Sequence, residues 1–186
     1  MLIVSPEFNC SQEILTIVAI LSGTFFFLLR VLMRLIVSLV VPNIWIQPNN
    51  KRKEADIARR LLTIPNGDHL TLLNIFDKYQ NSTYRPDVFS PMLTKILSDS
   101  RDRDWARNNY VSARYLSEAA NIRAQILRIM ERLEIDLVTK PYTDQARHYM
   151  DIRRALVCGY FMQVAHKEGE KGSYLTVKDN QVRPRS

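Results

Sequence analysis

The sequence predicts a mainly α-helical fold, a helical bundle with an N-terminal apolar helix and a C-terminal β-strand or hairpin, and three observations carry that prediction. Apolar residues recur at spacings of three and four along two long segments, residues 68–81 and 117–133. The alternation typical of a β-strand occurs at Tyr174–Val177, directly before the turn residues Lys178–Asn180. The chain has 186 residues, which is enough to bury one core of ordinary size.

The first helix is predicted from Ser11 onward. The Ser11 side chain can cap the helix, and Glu13 lies in the first turn, where the helix dipole favours an anion. A short second helix is expected over Glu54–Leu62. Its apolar side comprises Ala55, Ala58, Leu61 and Leu62.

Three further helices follow. The turn Pro65–Asp68 precedes a helix whose apolar stripe is Leu72, Leu73, Phe76 and Tyr79. Ser117 opens the next helix, whose apolar face comprises Ile122, Ile126, Ile129, Met130 and Leu133. Arg123, Arg128 and Arg132 are expected to lie away from that face. A long last helix is expected from Thr143 to His166, carrying Tyr149, Ile152, Leu156 and Gly159.

An apolar stretch between Ile14 and Val41 leaves a membrane span open as an alternative. Residues 14–29 carry no charge, but they fall short of the ~20 residues that a span needs. In a spanning segment centred near Arg30, the cost of that charge would offset most of the favourable free energy of transferring the apolar residues into the membrane. A secretory signal peptide fits worse, because Glu7 and Glu13 precede the run and no basic residue does.

The charge pattern suits a polyanionic partner, and the sequence offers no metal site. With 26 basic and 19 acidic residues the formal net charge is +7, which fits nucleic acid or an acidic membrane surface. Cys10 and Cys158 lie far apart, and Cys158 is expected to be a buried apolar residue. No two of His69, His148 and His166 have the spacing of metal ligands.

Several motifs together resemble one family. They are GDHLTLLNIF at Gly67–Phe76, NIRAQILRIMERL at Asn121–Leu133, IRRALVCGYFMQVAH at Ile152–His166 and the strand-like YLTVKDNQ that begins at Tyr174. In combination they resemble the C-terminal region of DEAH-box RNA helicases, most closely the splicing-type branch.

The resemblance implies a domain order. Residues 1–22 would be the end of a winged-helix domain, and residues 41–166 would be the helical ratchet, or helicase-associated, domain. Residues 167–186 would begin a truncated OB-fold. Residues 23–40 and a stretch near 82–103 interrupt the family pattern and are interpreted as insertions, the first of them as a short in-frame intron left unspliced in the coding sequence.

The same resemblance implies a motor that these residues do not contain. The sequence has no GxxxxGK[ST] loop and no DEAH tetrad, and its five glycines are scattered, so no phosphate-cradling loop can form. No cofactor is expected for this chain alone, which should be inactive as an enzyme. ATP and magnesium would belong to the complete parent helicase.

The expected site is an RNA contact surface made of Arg153, Arg154, Arg123 and Lys178. The partners implied are single-stranded RNA, the RecA-like motor and OB-fold domains of the parent helicase, and glycine-rich-patch activator proteins. The resemblance implies a nuclear protein acting in pre-mRNA splicing or ribosome biogenesis. Two alternatives stay open, a non-enzymatic RNA- or protein-binding module and a membrane-anchored protein held by residues 14–41.

Overall fold

The structure, a computed structural model, describes residues 1–32, 44–65, 67–83, 103–139, 144–161, 164–168, 173–176 and 182–183. Within these ranges the named helices are α1 (Ser11–Leu32), α2 (Arg52–Leu62), α3 (Asp68–Thr83), α4 (Ala113–Arg132) and α5 (Gln145–Gly159). Residues 103–108 form a further short helical segment. The strands are β1 (Ala165–Glu168), β2 (Ser173–Thr176) and β3 (Val182–Arg183). The predicted mainly α-helical fold is confirmed.

The chain divides into two compact units. One comprises Met1–Ile14 together with Ile135–Ser186, and the other comprises Leu15–Glu134. Helix α1 begins in the first unit and continues in the second. These limits differ from the boundaries at residues 22, 41 and 166 that the family resemblance implies, and those boundaries stay predictions.

The core of the Leu15–Glu134 unit draws on each helical segment that the structure describes there. Ile20 of α1, Leu62 of α2, Phe76 of α3 and Leu116 of α4 belong to one buried cluster. The other buried members are Ile44, Ile75, Tyr79, Ala106, Val111 and Ala119. Burial of this apolar surface is the main force that holds these short helices together.

The first half of α1 is buried on all sides. Ile14, Leu15, Ile17, Ala19 and Ile20 are each 0% exposed, and consecutive positions of a helix point in different directions. A helix that is apolar around its whole circumference belongs in the interior of a protein. No helix among the described residues is both long enough and apolar enough to cross a membrane.

The strands of the first unit form a three-stranded antiparallel sheet in the order β1-β2-β3. His166 pairs with Leu175, and Tyr174 pairs with Arg183. The expected C-terminal strand or hairpin is therefore present, with one additional short strand.

Two predicted helix limits were wrong. Helix α4 begins at Ala113 rather than Ser117, because the Ser112 hydroxyl accepts a hydrogen bond from the Tyr115 N–H and caps the helix one turn earlier. Helix α5 ends at Gly159 and not at His166, which lies in β1. Pairing of residues 165–168 with β2 overrides the helical periodicity of that motif.

Three details of the apolar faces were also wrong. Leu61, Ile129 and Leu133 are 75%, 52% and 63% exposed, although Leu62, Ile122 and Met130 beside them are buried as expected. Spacing alone places an apolar residue on one side of a helix but does not show how wide a strip its neighbours cover.

The predicted insertions are described only in part. Helix α1 runs through Leu32, so Gly23–Leu32 is helical. The remainder of residues 23–40, and nearly all of residues 82–103, lie outside the described residues. Their interpretation as insertions stays a prediction.

Candidate nucleic-acid interface

Helix α5 carries the two arginines that the sequence singles out. The Asp144 side chain accepts a hydrogen bond of 2.9 Å from the Ala146 N–H and so fixes where the helix begins. At the other end the Tyr160 N–H donates to the Leu156 carbonyl at 2.9 Å. The limits of the helix are thus set by local hydrogen bonds.

One side of α5 is anchored within its unit. Ile152, Ala155 and Leu156 are 0%, 0% and 7% exposed. One turn before them, His148 Nε2 lies 3.4 Å from the Glu13 carboxylate in the first turn of α1. Because this side is fixed, the opposite side of the helix has a defined orientation.

The opposite side is exposed along its whole length. It consists of Arg147, Met150, Arg153, Arg154, Val157 and Cys158, which follow one another at one- and three-residue steps. We call these residues the outer face of α5. Met150 and Val157 are about half exposed, at 48% and 52%, so the face is both basic and apolar.

Neighbouring groups orient the two arginines differently. Arg153 Nε donates a 3.3 Å hydrogen bond to the Tyr149 carbonyl one turn earlier. Arg154 Nη1 lies 3.3 Å from Asp151 Oδ1, also on α5. Both side chains are exposed, which confirms the expectation that a bundle core does not bury both.

The outer face can bind a phosphate backbone. A guanidinium presents five N–H donors in a planar fork that matches phosphate oxygens, and most of those donors remain available on Arg153. Phe161, two residues beyond the helix, is 65% exposed and offers an aromatic ring on which a base can stack. Such contacts recognise the polymer and not its sequence.

Comparison with known proteins shows what the chain as a whole is similar to. A family model described as "Helicase associated domain (HA2), ratchet-like" matches residues 1–72. The chain is 32% identical over 179 residues, 96% of its length, to the pre-mRNA-splicing factor ATP-dependent RNA helicase prp22 of Schizosaccharomyces pombe. It is 30% identical, again over 96% of its length, to the probable ATP-dependent RNA helicase DHX35 homolog of Caenorhabditis elegans.

These matches support a relationship between this chain and the C-terminal region of DEAH-box RNA helicases.

The similarity spans a small part of those relatives. The aligned residues amount to 12% of the prp22 sequence and 19% of the DHX35 homolog. The part of the chain that matches the helicase-associated domain is residues 1–72.

The other two predicted contact residues are not part of the outer face of α5. Arg123 lies on α4, in the Leu15–Glu134 unit, where its Nε donates a 3.0 Å hydrogen bond to Thr16 Oγ1. The expectation that Arg123 points away from the packed side of its helix was wrong, because it bonds the buried Thr16 hydroxyl. Lys178 lies outside the described residues.

One basic residue of the face was missed. Arg147 is exposed and precedes Arg154 by seven residues, two helical turns. That spacing was visible in the sequence. Arg147 lies outside the family motif, which begins only at Ile152.

Cys158 was expected to be buried, and that expectation was wrong. It is exposed on the outer face of α5, whereas Cys10 is 0% exposed. Burial raises the pKa of the Cys10 thiol to about 12, with smaller contributions from the Glu13 and Asp151 carboxylates. No cluster of metal-binding side chains occurs among the described residues.

Proposed function

We propose that this chain is the RNA-guiding accessory region of an ATP-dependent DEAH-box RNA helicase that remodels RNA in pre-mRNA splicing or ribosome biogenesis in the nucleus. The observation that carries the proposal is the exposed Arg153–Arg154 pair, held on an anchored helix whose sequence has the family motif. The names of the relatives, both ATP-dependent RNA helicases, support it.

In this proposal the region binds single-stranded RNA and has no motor of its own. The outer face of α5 holds the phosphate backbone, with Arg153 and Arg154 as the main contacts. Arg123 and Lys178 would add further positive charge for RNA binding. ATP and magnesium would act in RecA-like domains of the complete helicase, and an OB-fold and glycine-rich-patch activators would be further partners.

Salt dependence of RNA binding tests the proposal. We expect Arg153→Ala with Arg154→Ala, made in a complete helicase that carries this segment, to weaken binding of oligouridylate and of a mixed-sequence strand equally. Each lost phosphate contact should reduce the slope of log affinity against log salt by about 0.7, and the affinity at 0.1 M salt by roughly fivefold.

The matched control is Arg128→Ala with Arg132→Ala. Both residues are exposed on α4, and this variant loses the same net charge. If both double variants weaken binding equally, overall charge and not the outer face of α5 attracts RNA. An unchanged salt slope in a folded Arg153/Arg154 variant would contradict the proposed contact.

A non-enzymatic RNA-binding module is the alternative. It predicts the same salt slopes, but RNA binding to this region would not affect ATP hydrolysis by a motor. In the helicase, the Arg153/Arg154 variant should also lower RNA-stimulated ATP hydrolysis at limiting RNA, with ATP hydrolysis at saturating RNA less affected.

A further inference from the structure

A second surface, in the Leu15–Glu134 unit, is unrelated to the outer face of α5. It is a groove of about 740 Å³ between α2, the extended residues 46–48 and the segment 107–110. That volume lies within the range of roughly 300–1,000 Å³ that is usual for binding clefts. We call it the α2 groove.

The α2 groove has an apolar floor. Ile57 and Leu61, one helical turn apart on α2, are 60% and 75% exposed, and Ile46 opposite them is 48% exposed. Pro48 and Ala58 complete the apolar lining. Three large aliphatic side chains around one cavity form a coherent patch, unlike the scattered exposed apolar residues of ordinary surfaces.

Basic side chains border this apolar strip. Lys53 precedes Ile57 by four residues and Arg60 follows it by three, so both lie beside it on the helix surface. Over residues 51–62 there are five basic residues and two acidic ones, a net charge of +3. In the described part of the chain, neither Lys53 nor Arg60 forms an ion pair with a carboxylate.

The one carboxylate in the groove lining is already engaged. Glu54 Oε2 accepts a 2.6 Å hydrogen bond from the Tyr110 hydroxyl and lies 3.6 Å from Lys51 Nζ. The Tyr110 hydrogen bond, more than the charge of Lys51, lowers the pKa of Glu54. Glu54 therefore stays ionised, and the Lys51 ammonium beside it partly offsets its negative charge.

The far wall of the groove is held in place. Tyr110 has a φ of 54°, a left-handed conformation that is unfavourable for a residue with a side chain. Its carbonyl accepts a 2.8 Å hydrogen bond from the Ile46 N–H, and Trp45 bridges to Val111 next to it. The groove is thus formed before any partner binds, which reduces the entropic cost of binding.

We propose that the α2 groove docks an acidic amphipathic helix of a partner protein. Two or three aliphatic side chains at helical spacing would enter between Ile46, Ile57 and Leu61. Asp or Glu residues beside them would pair with Lys53 and Arg60. This is the helix-in-groove mode of recognition, in which the apolar contacts give affinity and the charges give orientation.

The same features disfavour the other occupants. An RNA strand would match the cations, but its phosphates would gain nothing from the exposed Ile57 and Leu61 side chains. A second copy of the chain would bring a net charge of +7 toward a border that is itself basic.

The test is a methyl NMR titration of the full chain, labelled at isoleucine δ1 and leucine δ methyl groups. The probe is an 18-residue helical peptide with Leu at positions 4, 8, 11 and 15 and Glu or Asp beside them. A second peptide has Lys at every acidic position. We expect the acidic peptide to shift the Ile46, Ile57 and Leu61 signals saturably and the Lys peptide to leave them unchanged.

Two variants locate the site. Ile57→Ser with Leu61→Ser should raise the Kd of the acidic peptide at least about tenfold, because the buried apolar contact is lost. Lys53→Glu with Arg60→Glu should reverse the preference toward the Lys peptide. The matched control, Ile129→Ser with Leu133→Ser, changes two comparably exposed aliphatic residues at the end of α4 and should leave the Kd within about twofold.

Four outcomes would overturn the proposal. The first two are equal binding of both peptides and the absence of saturable shifts. The third is displacement of the acidic peptide by oligouridylate at equal strand concentration. The fourth is dimerisation of the chain in sedimentation experiments that Ile57→Ser with Leu61→Ser abolishes. The first two deny a specific site, and the others assign the groove to RNA or to a second copy. None of them affects the RNA proposal for α5, whose variants lie in the other unit.

Discussion

Arg123 Nε donates a hydrogen bond of 3.0 Å to Oγ1 of Thr16, across 107 residues of sequence. Thr16 is 4% exposed, so α4 supplies a charged donor to a hydroxyl that is almost fully removed from water. Tyr115 makes a second link of this kind, through a 2.9 Å hydrogen bond from its hydroxyl to the Ile20 carbonyl. Polar contacts, together with apolar burial, therefore join α4 to the buried half of α1.

Arg123→Ala should reduce the free energy of unfolding by about 2 kcal/mol, because the charged hydrogen bond to Thr16 is lost. Urea unfolding followed by circular dichroism measures this change. Arg128→Ala, on the exposed side of the same helix, should cost less than about 0.5 kcal/mol. Equal losses of stability in Arg123→Ala and Arg128→Ala would mean that the hydrogen bond to Thr16 contributes little.

Cys158 and Cys10 should differ strongly in reactivity toward a maleimide. Cys158 is exposed and should be labelled within minutes at neutral pH, whereas Cys10 is 0% exposed and should react only in denaturant. Mass spectrometry of the digested protein counts the labels, and Cys158→Ser should remove the fast one. Rapid labelling of both thiols under native conditions would contradict the burial of Cys10.

Ionisation of Cys10 should destabilise the fold at alkaline pH. Its pKa is about 12 in the folded chain and 9.0 in the reference state, so above pH 9 the unfolded state loses this proton first. Stability is therefore fully present below about pH 9 and falls as the pH rises toward 12. The loss should reach about 2 kcal/mol at about pH 10.5.

Urea unfolding at about pH 8 and about pH 10.5 under reducing conditions checks this prediction. Cys10→Ala is the control, since it removes only this titration and leaves those of lysine and tyrosine residues in place. Between the two pH values the protein with Cys10 should lose about 2 kcal/mol more stability than Cys10→Ala. Equal losses would show that the thiol ionises similarly in both states.

Deletion of residues 23–40 should leave the remaining fold intact. The side chains of α1 that the structure shows as fully buried all precede Ser22, and the deletion joins Ser22 to Val41 in the register that the family resemblance implies. We expect higher solubility, with far-UV circular dichroism losing no more than the signal of the residues removed. A less soluble or unfolded deletion variant would show that this segment contributes to the fold.

The sequence by itself determined where most helices lie and which family the chain resembles. Glu13 lies in the first turn of α1 and the stripe Leu73–Phe76–Tyr79 is buried, because helical periodicity is a local property. Ser11 is the first residue of α1 and not its cap, since its hydroxyl donates a 3.1 Å hydrogen bond to the Asp136 carbonyl. The arginines of the Ile152–His166 motif were likewise found as an exposed pair.

Only the tertiary structure decided which residues of a helix are covered. Arg123 bonds Thr16, Leu61 lines an open groove, and Cys158 faces outward, because each outcome depends on elements that are distant in sequence. The end of α5 was decided in the same way, since the pairing of His166 with Leu175 adds a strand where local periodicity alone predicts continued helix. Periodicity describes one element, whereas burial and strand pairing require two.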